Sequence, residues 1–235
     1  MQKIAFITGS SRGIGKAIAE LLLNENYIVF GYSRSNTIKH PKFTFKKIDL
    51  SNLKEVREFS FPKFNNAQVL LINNAATIGE IKPLNLKKDS EVIRNYNLNI
   101  ITPTLLISKF INDFANNNKT LINISSGAAN GSIASWGTYC ATKSALDRLT
   151  HVLAEEKHKK LIVFSVHPGI VDTQMQDEIR RADVNFFPLL SKFTNYYNNN
   201  ELEKTKMIAQ KIFYIIQNPT QFPQNILSIR DIHIN

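Results

Sequence analysis

The sequence predicts an α/β protein whose core is a doubly wound, seven-stranded parallel β-sheet with helices on both faces. Three observations support this prediction. Short apolar runs recur along the chain, and continuous apolar runs are typical of parallel strands that are buried on both faces. Amphipathic stretches with helical spacing lie between these runs. Such an alternation of strands and helices indicates a parallel sheet that is covered on both sides.

The predicted elements follow one another without interruption. The seven predicted strands are Ile4–Ile7, Tyr27–Tyr32, Phe43–Ile48, Val69–Ile72, Leu121–Ile124, Leu161–Val166 and Ile226–Ile229. Three helical patterns have apolar residues at Ile14, Ile18, Leu21 and Leu22, at Ala145, Leu146, Leu149, Val152 and Leu153, and at Ile208, Ile212, Ile215 and Ile216. Pro219 ends the last pattern, and Asn52 with Glu55 three residues later is typical of a helix start. Because no repeat or Pro/Gly-rich linker interrupts the order, we expect a single domain over residues 1–235.

The composition excludes several classes of protein. Hydrophobic residues make up 43% of the chain and charged residues 20%, which is typical of a globular protein. The single cysteine, Cys140, excludes an intramolecular disulfide and favours a reducing, cytoplasmic location. The five histidines show no paired ligand spacing, so we expect no metal site. The first apolar run ends at Thr8, too early for a signal peptide, and no run approaches the ~20 residues of a membrane-spanning helix.

The formal net charge of +10 favours a negatively charged partner, which is a nucleic acid, an anionic membrane or a phosphorylated small molecule. A nucleic-acid-binding protein would show a basic stripe with interleaved aromatic residues. The short basic run at residues 157–160 is instead typical of a solvated turn. We expect no nucleic acid partner and no membrane partner, although the composition alone does not choose among the three; that choice depends on the motifs below.

A glycine-rich loop, Thr8-Gly9-Ser10-Ser11-Arg12-Gly13-Ile14-Gly15, follows the first predicted strand and opens the first predicted helix. Glycines permit a tight turn and a close approach of the backbone to a pyrophosphate, and the helix N-terminus supplies free N–H groups. Because strand, loop and helix occur in the required order, the loop predicts a dinucleotide-binding Rossmann fold. The expected cofactor contacts of the loop are Gly9, Ser11, Arg12, Gly13, Ile14 and Gly15.

A second motif, Tyr139-x-x-x-Lys143, lies at the start of a helical pattern. Its spacing places both side chains on one helix face. A free tyrosine has a pKa of ~10, and a neighbouring ammonium group stabilises the phenolate and lowers that pKa. The pair is therefore a candidate for proton exchange near neutral pH. The same spacing also occurs by chance in surface helix pairs, so its weight comes from the other motifs.

The glycine loop resembles the cofactor loop of short-chain dehydrogenases/reductases, and the Tyr–Lys pair follows in the order of that family. Matching segments extend from residue 4 to residue 173. The resemblance implies hydride transfer from a nicotinamide cofactor to a ketone carbon, with Tyr139 as the proton donor. It also implies that Lys143 tunes Tyr139 and binds the nicotinamide ribose.

Two further catalytic residues are implied by the same resemblance. Ser126 follows the fifth predicted strand and matches the serine that positions the substrate carbonyl; Ser125 is the adjacent alternative. Asn99 matches the asparagine that holds a water for proton resupply, with Asn97 as a close competitor. The expected catalytic set is thus Asn99, Ser126, Tyr139 and Lys143.

The end of the second strand distinguishes NAD from NADP in this fold, because an acidic residue there binds the 2′-hydroxyl and a basic one accommodates the 2′-phosphate. Ser33 occupies the usual acidic position, and Arg34 follows it. Arg12 in the glycine loop supplies a second guanidinium, and two such groups suit a phosphate. These residues predict NADP(H) as the cofactor.

The resemblance places other cofactor contacts at strand ends. Asp49 corresponds to an aspartate near the adenine amine, although a turn-forming aspartate is the alternative. Asn73, Asn74 and Ala75 are expected on the adenosine side, followed by Ala76 in place of the usual glycine. The segment after the sixth strand is expected to hold the nicotinamide carboxamide. Its contacts are Pro168, Gly169, Ile170 and Thr173.

The segments around Tyr139 and Thr173 resemble more narrowly the sepiapterin reductases and the benzil reductases that form (S)-benzoin. The expected substrate contacts are Ser126, Trp136, Tyr139 and Met175. Residues 174–200 are rich in apolar and aromatic side chains and are expected to form a substrate lid, or else to pack on the domain or a partner subunit. Ile229 stands where sepiapterin reductases carry an acidic anchor, and Asp231, on the same predicted strand face, would restore it after a register shift.

The sequence thus predicts an NADPH-dependent reductase that acts on one carbonyl of an α-dicarbonyl or aromatic ketone, of the benzil reductase type. The alternative is a sepiapterin reductase-type enzyme that reduces a pterin side-chain ketone. From another class, a non-catalytic NADP-sensing Rossmann protein would lack the Tyr–Lys pair that this chain keeps. The family resemblance also implies a homodimer through the helices at residues 101–114 and 145–153.

Overall fold

The computed structural model describes residues 1–234, and in these residues seven parallel strands form one sheet. The strands are β1 (Gln2–Thr8), β2 (Ile28–Ser33), β3 (Phe43–Lys47), β4 (Ala67–Asn73), β5 (Asn118–Ile124), β6 (Leu161–His167) and β7 (Ile226–Ser228). Their order across the sheet is β3-β2-β1-β4-β5-β6-β7. The order reverses between β1 and β4, which opens a crevice at the carboxyl ends of these strands, where ligands bind in doubly wound sheets.

Eight α-helices connect the strands within the described residues. They are α1 (Gly13–Asn24), α2 (Leu53–Glu58), α3 (Asp89–Tyr96), α4 (Thr102–Asp113), α5 (Gly137–Glu155), α6 (Gln174–Arg180), α7 (Leu190–Asn198) and α8 (Thr205–Gln217). The π-helical turn Asn97–Ile101 joins α3 to α4. As the sequence predicts, Asn52 begins α2: its side chain accepts a hydrogen bond from the Lys54 amide, and its own amide group donates to Glu55.

Two apolar cores cover the two faces of the sheet. On one face α1 and α8 pack together through side chains such as Ile18, Leu22 and Ile212, all buried at helical spacing. On the other face Phe6 of β1 stacks among a group of phenylalanines that includes Phe110 of α4. Because both faces of the sheet are buried, the strands appear in the sequence as continuous apolar runs. The arrangement confirms the predicted fold class.

A third apolar cluster lies beyond the carboxyl ends of the strands. It joins Trp136 and Tyr139 at the start of α5 to Ile179 of α6 and to Phe187 and Phe193 around the start of α7. Phe187 is fully buried and lies parallel to the Trp136 ring, with centroids 5.5 Å apart. This cluster closes the crevice on the side of residues 174–200.

The observed strands differ from the predicted ones by a few residues at their ends. One difference overturns a prediction: β7 ends at Ser228, and Ile229–Asp231 forms a 3₁₀ turn. Alternation of faces therefore does not apply to Ile229 and Asp231. Ile229 is buried in the core, whereas Asp231 is exposed, so Asp231 does not take the place of a strand-borne substrate anchor. Of the helices among residues 1–234, none is both long enough and apolar enough to cross a membrane.

Candidate active site

A cavity of about 410 Å³ lies in the crevice at the carboxyl ends of the strands. Most of the predicted site residues line it: Gly9, Ser11, Arg12, Gly13, Ile14, Ser33, Arg34, Asp49, Asn74, Ala75, Tyr139, Lys143, Pro168, Thr173 and Met175. Seven predicted residues lie outside its wall: Gly15, Asn73, Asn99, Ser126, Trp136, Gly169 and Ile170. The structure thus brings the glycine loop, the end of the second strand and the Tyr–Lys pair together at one cavity.

The glycine loop has the backbone that an anion cradle needs. Gly9 and Gly13 have φ angles of +69° and +56°, which side-chain-bearing residues rarely adopt. No acidic residue lies in the first turn of α1, so its free N–H groups and partial positive charge face the cavity unopposed. A methyl group on Gly15 would lie only 2.3 Å from the Gly9 carbonyl oxygen. Gly15 therefore serves the packing of the helix against the loop.

Thr8 and Asn74 hold this loop against β4. The Thr8 hydroxyl accepts hydrogen bonds from the backbone amides of Asn74 and Ala75 at 2.9 and 3.1 Å. The Asn74 side chain donates to the carbonyls of Thr8 and Gly9. Asn73, in contrast, is buried inside the sheet and donates to the Asn123 side chain at 2.9 Å. Asn73 therefore links β4 to β5 and does not reach the cavity.

The adenosine end of the cavity is positively charged. The Ser33 hydroxyl donates to the Ser35 carbonyl at 2.7 Å, and Arg34 lies exposed beside it. Asp49 accepts hydrogen bonds from the amide and hydroxyl of Ser51, which is the turn-forming role that the sequence left open. Partial burial raises the pKa of Asp49, but the Ser51 hydrogen bonds and the charges of Arg34 and Arg94 lower it more, so the pKa lies below its usual value.

Lys143 and Tyr139 project from the first turns of α5 and are 3% and 5% exposed. The Lys143 ammonium donates to the Ile124 carbonyl at the end of β5 at 2.7 Å. Its nitrogen lies 5.7 Å from the centroid of the Tyr139 ring. The Tyr139 hydroxyl lies 3.9 Å from the sulfur of Met175. Both polar groups therefore stand on the cavity wall in a largely water-free setting.

Burial sets the proton states of this pair. It raises the pKa of Tyr139 to about 12, although a hydrogen bond with Ser126 acts in the opposite direction. It lowers the pKa of Lys143 to about 8, against the raising effect of the Asp147 carboxylate. The expectation that Lys143 lowers the Tyr139 pKa towards neutrality is therefore not met in the protein alone. Desolvation of the phenolate is the largest influence on the Tyr139 pKa, and the Lys143 ammonium is not among the groups that shift it, so the phenol form is favoured at neutral pH.

The hydrogen-bond partners separate Ser126 from Ser125. Ser126 lies near enough to the Tyr139 hydroxyl to lower its pKa, and its own oxygen accepts from the Ala128 amide at 3.2 Å. Ser125 is buried, lines the cavity and donates to the Lys143 carbonyl at 3.4 Å. The contact with the Tyr139 hydroxyl favours Ser126 for the predicted role.

Asn99 lies fully buried in the π-helical turn, a feature that is frequent at functional sites. Its side chain accepts from the Thr77 amide at 2.9 Å and donates to the Thr77 carbonyl at 2.8 Å. It also donates to the Thr142 hydroxyl at 3.3 Å, on the face of α5 that carries Tyr139. Asn97 instead donates to Ser51 near the adenosine end, so the geometry favours Asn99.

The segment of residues 174–200 packs on its own domain. Trp136 contacts Tyr139 edge to face at 5.7 Å and stacks on Phe187, which removes it from the cavity wall. Met175 reaches the cavity, as predicted. Beyond the sixth strand, Thr173 lies against Gly13, and the Ile170 carbonyl accepts from the Glu203 amide at 2.9 Å.

Several residues of the site were not predicted from the sequence. Arg94 of α3 and Glu178 of α6 line the cavity. Tertiary packing brings α3 there, whereas α6 lies in the segment that was expected to form the lid and from which Met175 was the predicted contact. Asp147, one turn after Lys143, binds Ser165 and His167 in the interior. Its position four residues after Lys143 is the one signal that would have pointed to it. No group of three His, Cys, Asp or Glu side chains suited to a metal ion occurs within residues 1–234.

A glycine loop at the switch point of a parallel sheet, facing a buried tyrosine and lysine, is the architecture of a nucleotide-dependent oxidoreductase. The sequence model of the short chain dehydrogenase family matches residues 3–184. The chain belongs to this family, whose members use nicotinamide cofactors.

Known proteins resemble the chain over almost its whole length. The benzil reductase ((S)-benzoin forming) of Bacillus subtilis is 32% identical and covers 93% of this chain and 95% of its own. The sepiapterin reductase of Rattus norvegicus is 31% identical, with 92% of each chain covered. A short chain dehydrogenase/reductase structure from Saccharomyces cerevisiae is 25% identical, with a TM-score of 0.80 over 98% of this chain and 97% of its own.

A more distant structure shares the fold. The alcohol dehydrogenase of the archaeon Thermococcus sibiricus, solved in complex with 5-hydroxy-NADP, superimposes with a TM-score of 0.78 at 23% identity. The match covers 97% of this chain and 96% of that one.

Proposed function

We propose that this oxidoreductase is an NADPH-dependent carbonyl reductase that reduces one carbonyl of an α-dicarbonyl or an aromatic ketone. The observation that carries the proposal is the buried Tyr139–Lys143 pair on the wall of the cavity that the glycine loop opens. The similarity to benzil reductases over nine-tenths of the chain supports the substrate class.

The residues present fit a nicotinamide dinucleotide phosphate. Gly9 and Gly13 both have positive φ angles, and a Cβ at Gly9 would lie only 2.8 Å from the Asn74 side-chain nitrogen, so the tight loop that lets a pyrophosphate approach the backbone requires glycine. Arg12 and Arg34 reach the cavity without an acidic side chain at Ser33 to oppose them, which favours a 2′-phosphate over a free ribose hydroxyl. When bound, the reduced cofactor supplies the hydride.

The side chains of this chain would supply the proton and hold the carbonyl. Tyr139 is protonated at neutral pH and donates its proton to the carbonyl oxygen as negative charge develops there. Ser126, which lies near the Tyr139 hydroxyl, orients the same oxygen. The Lys143 ammonium stabilises the phenolate that remains, and its Ile124 partner holds it at the ribose end of the cavity.

Proton resupply is assigned to Asn99. The Thr77 amide occupies one lone pair of its side-chain oxygen, and Thr77 and Thr142 take up both of its amide protons. One lone pair therefore remains to hold a water. Rigid anchoring of this kind suits a residue that positions a water, because a mobile amide would lose it.

The apolar surroundings of Tyr139 favour an uncharged aromatic substrate. Met175 and the cluster of Trp136, Phe187 and Phe193 adjoin its ring. The acidic anchor expected for a pterin is missing from β7, because Ile229 is buried and Asp231 is exposed on the turn that follows. For this reason we place the sepiapterin reductase-type activity second, after reduction of an α-dicarbonyl or aromatic ketone.

The proposal is tested by following NADPH oxidation with benzil, aliphatic α-diketones, simple aldehydes and sepiapterin. Benzil is expected to give the highest kcat/KM. Tyr139→Phe should abolish turnover and leave NADPH binding intact, because the ring stays in place and only the hydroxyl is lost. If every carbonyl fails while NADPH still binds, the protein is a non-catalytic NADP sensor and the proposal is wrong.

We further propose that the protein is a homodimer. Ile101, directly before α4, and Val152 on α5 are 38% and 45% exposed, on the helices that the family resemblance assigned to pairing. Light scattering after size exclusion is expected to give twice the monomer mass of 26.7 kDa. A monomer at micromolar concentration would contradict it.

A further inference from the structure

A buried polar cluster lies one helical turn beyond Lys143, between α5 and β6. The Asp147 carboxylate accepts hydrogen bonds from the Ser165 hydroxyl at 2.5 Å and from the His167 ring at 2.7 Å. Asp147 is 7% exposed, His167 8%, and Ser165 is fully buried. A carboxylate at this depth costs free energy unless partners compensate it, and the fold alone gives no reason for it.

Lys143 is likewise a buried charge, of the opposite sign. Its ammonium is buried and has the Ile124 carbonyl as a partner, and no carboxylate among residues 1–234 lies within 4 Å of it. Asp147 is four residues further along α5, so the two side chains leave the same helix face with Cβ atoms ~5–6 Å apart. The Ser125 hydroxyl lies near both residues, but it meets Lys143 at its backbone carbonyl and not at the ammonium.

We propose that Asp147 is the buried counter-charge of Lys143, which keeps this lysine protonated in the protein interior, and that Ser165 and His167 hold the carboxylate in place for that purpose. Asp147 is a positioning residue, since it reaches Lys143 through its electric field and touches neither substrate nor cofactor. The catalytic purpose of this counter-charge rests on the proposed function, but the charge coupling between Asp147 and Lys143 does not.

The balance of charges supports this assignment. Burial lowers the pKa of Lys143 to about 8, and Asp147 raises it. An opposite charge within ~4–6 Å moves a pKa by about one to three. Without the carboxylate, the pKa of Lys143 is therefore expected to fall further below its usual value. Asp147 stays ionised because its hydrogen bonds from His167, Ser165 and Ser125 lower its pKa more than burial raises it.

The remaining groups around Lys143 do not replace Asp147. On α5 a further titratable neighbour is Tyr139, a phenol whose pKa burial raises. Cys140 of α5 and Glu178 of α6, which lines the same cavity, are not among the charges that act on Lys143. From β5 the neighbours are the Ile124 carbonyl and the Ser125 hydroxyl, and from β6 His167 acts through Asp147. The carboxylate is therefore the negative charge that faces Lys143 from these elements.

The test measures the titration of Lys143 directly in the cofactor-free protein. Lysine ε-carbons are labelled with ¹³C, and the Lys143 signal is identified by its loss in Lys143→Met. In Asp147→Asn the side chain keeps its shape: its oxygen still accepts from Ser165 and its amide donates to the His167 ring. The Lys143 midpoint is expected to fall by about one pH unit or more, a tenfold change in its acid constant.

Two matched controls separate charge from packing. Glu155→Gln removes an exposed negative charge from the same helix and should leave the Lys143 midpoint in place. Ser165→Ala keeps the Asp147 charge but removes one of the hydrogen bonds that hold it, so it should lower the midpoint less than Asp147→Asn does. Asp147→Ser, which also removes the charge, replaces Asp147→Asn if the latter does not fold. The proposal is overturned if the midpoint is unchanged in both Asp147 variants, or if Ser165→Ala lowers it equally.

The proposed reaction adds an independent reading. In Asp147→Asn the alkaline limb of the kcat/KM profile should move to lower pH with the Lys143 midpoint. If no carbonyl compound is reduced by the wild-type protein but the Lys143 midpoint still shifts, the counter-charge stands and the proposed function falls.

Discussion

Gly15 offers a direct test of how the glycine loop is built. Replacing it with alanine places a methyl group 2.3 Å from the Gly9 carbonyl oxygen and 2.4 Å from the Asn74 side-chain nitrogen. The Gly9 oxygen is backbone, so α1 or the loop must shift. Overpacking of this kind costs about 1–3 kcal/mol. The displaced loop also loses its hydrogen bond from Asn74, so NADPH affinity is expected to fall with stability.

Urea unfolding and NADPH fluorescence titration measure the two effects. Gly137→Ala is the matched control, because it lies at the start of α5 and a methyl group there meets no atom within 4 Å. That variant is expected to be neutral or up to about 1 kcal/mol more stable, since alanine restricts the unfolded chain. If Gly15→Ala is as stable as Gly137→Ala and binds NADPH like the wild type, the close packing of loop and helix is not what the glycine provides.

Three further predictions follow from the site. Arg34→Asp should weaken NADPH binding at least about tenfold, because a charge-assisted contact contributes ~1.5–3 kcal/mol. NADH binding should change little. Equal losses of affinity for both cofactors would contradict the 2′-phosphate assignment. Phe187→Ala should lower the free energy of unfolding by about 3–5 kcal/mol, because the ring is fully buried against Trp136; urea unfolding checks this, and a loss below about 1 kcal/mol would contradict the packing. The Lys143 pKa is lower in the folded than in the unfolded chain, so between about pH 8 and 10 the unfolded state binds more protons. The free energy of unfolding of the wild type should therefore rise with pH relative to that of Lys143→Met. If the two free energies change with pH in parallel, the lowered pKa of Lys143 is refuted.

Local signals predicted the parts of the site that local sequence determines. The glycine loop acts through backbone freedom over eight residues, so its position after β1 was enough to predict its geometry. Tyr139 and Lys143 are set by one helix turn, and the structure places both on the cavity wall. Arg94 was missed because α3 reaches the cavity only through packing. Glu178 was missed although its helix, α6, lies in the expected lid, because the apolar pattern of that segment gives no signal for a charged contact.

The failed expectations have physical causes of the same kind. The strand-face argument for Asp231 assumed that β7 continues, but Ser228 begins a 3₁₀ turn by accepting a hydrogen bond from the Arg230 amide. The expected lowering of the Tyr139 pKa considered the nearby ammonium and not the depth of burial. Both outcomes depend on the three-dimensional surroundings of the residues, which cannot be derived from their spacing in the sequence.

The opposite pKa shifts of Tyr139 and Lys143 act against each other in the proposed reaction. Burial raises the pKa of Tyr139 to about 12, so the proton that the reduction needs is present at neutral pH, but a phenol of such high pKa is a weak proton donor. Loss of that proton becomes favourable only if the charge left on Tyr139 is stabilised, and the Lys143 ammonium is the nearby cation. Burial that makes Tyr139 a phenol also tends to neutralise Lys143, so the same desolvation would remove the stabilising charge. A buried carboxylate next to Lys143 resolves this conflict, because it keeps the ammonium charged without making the site wetter.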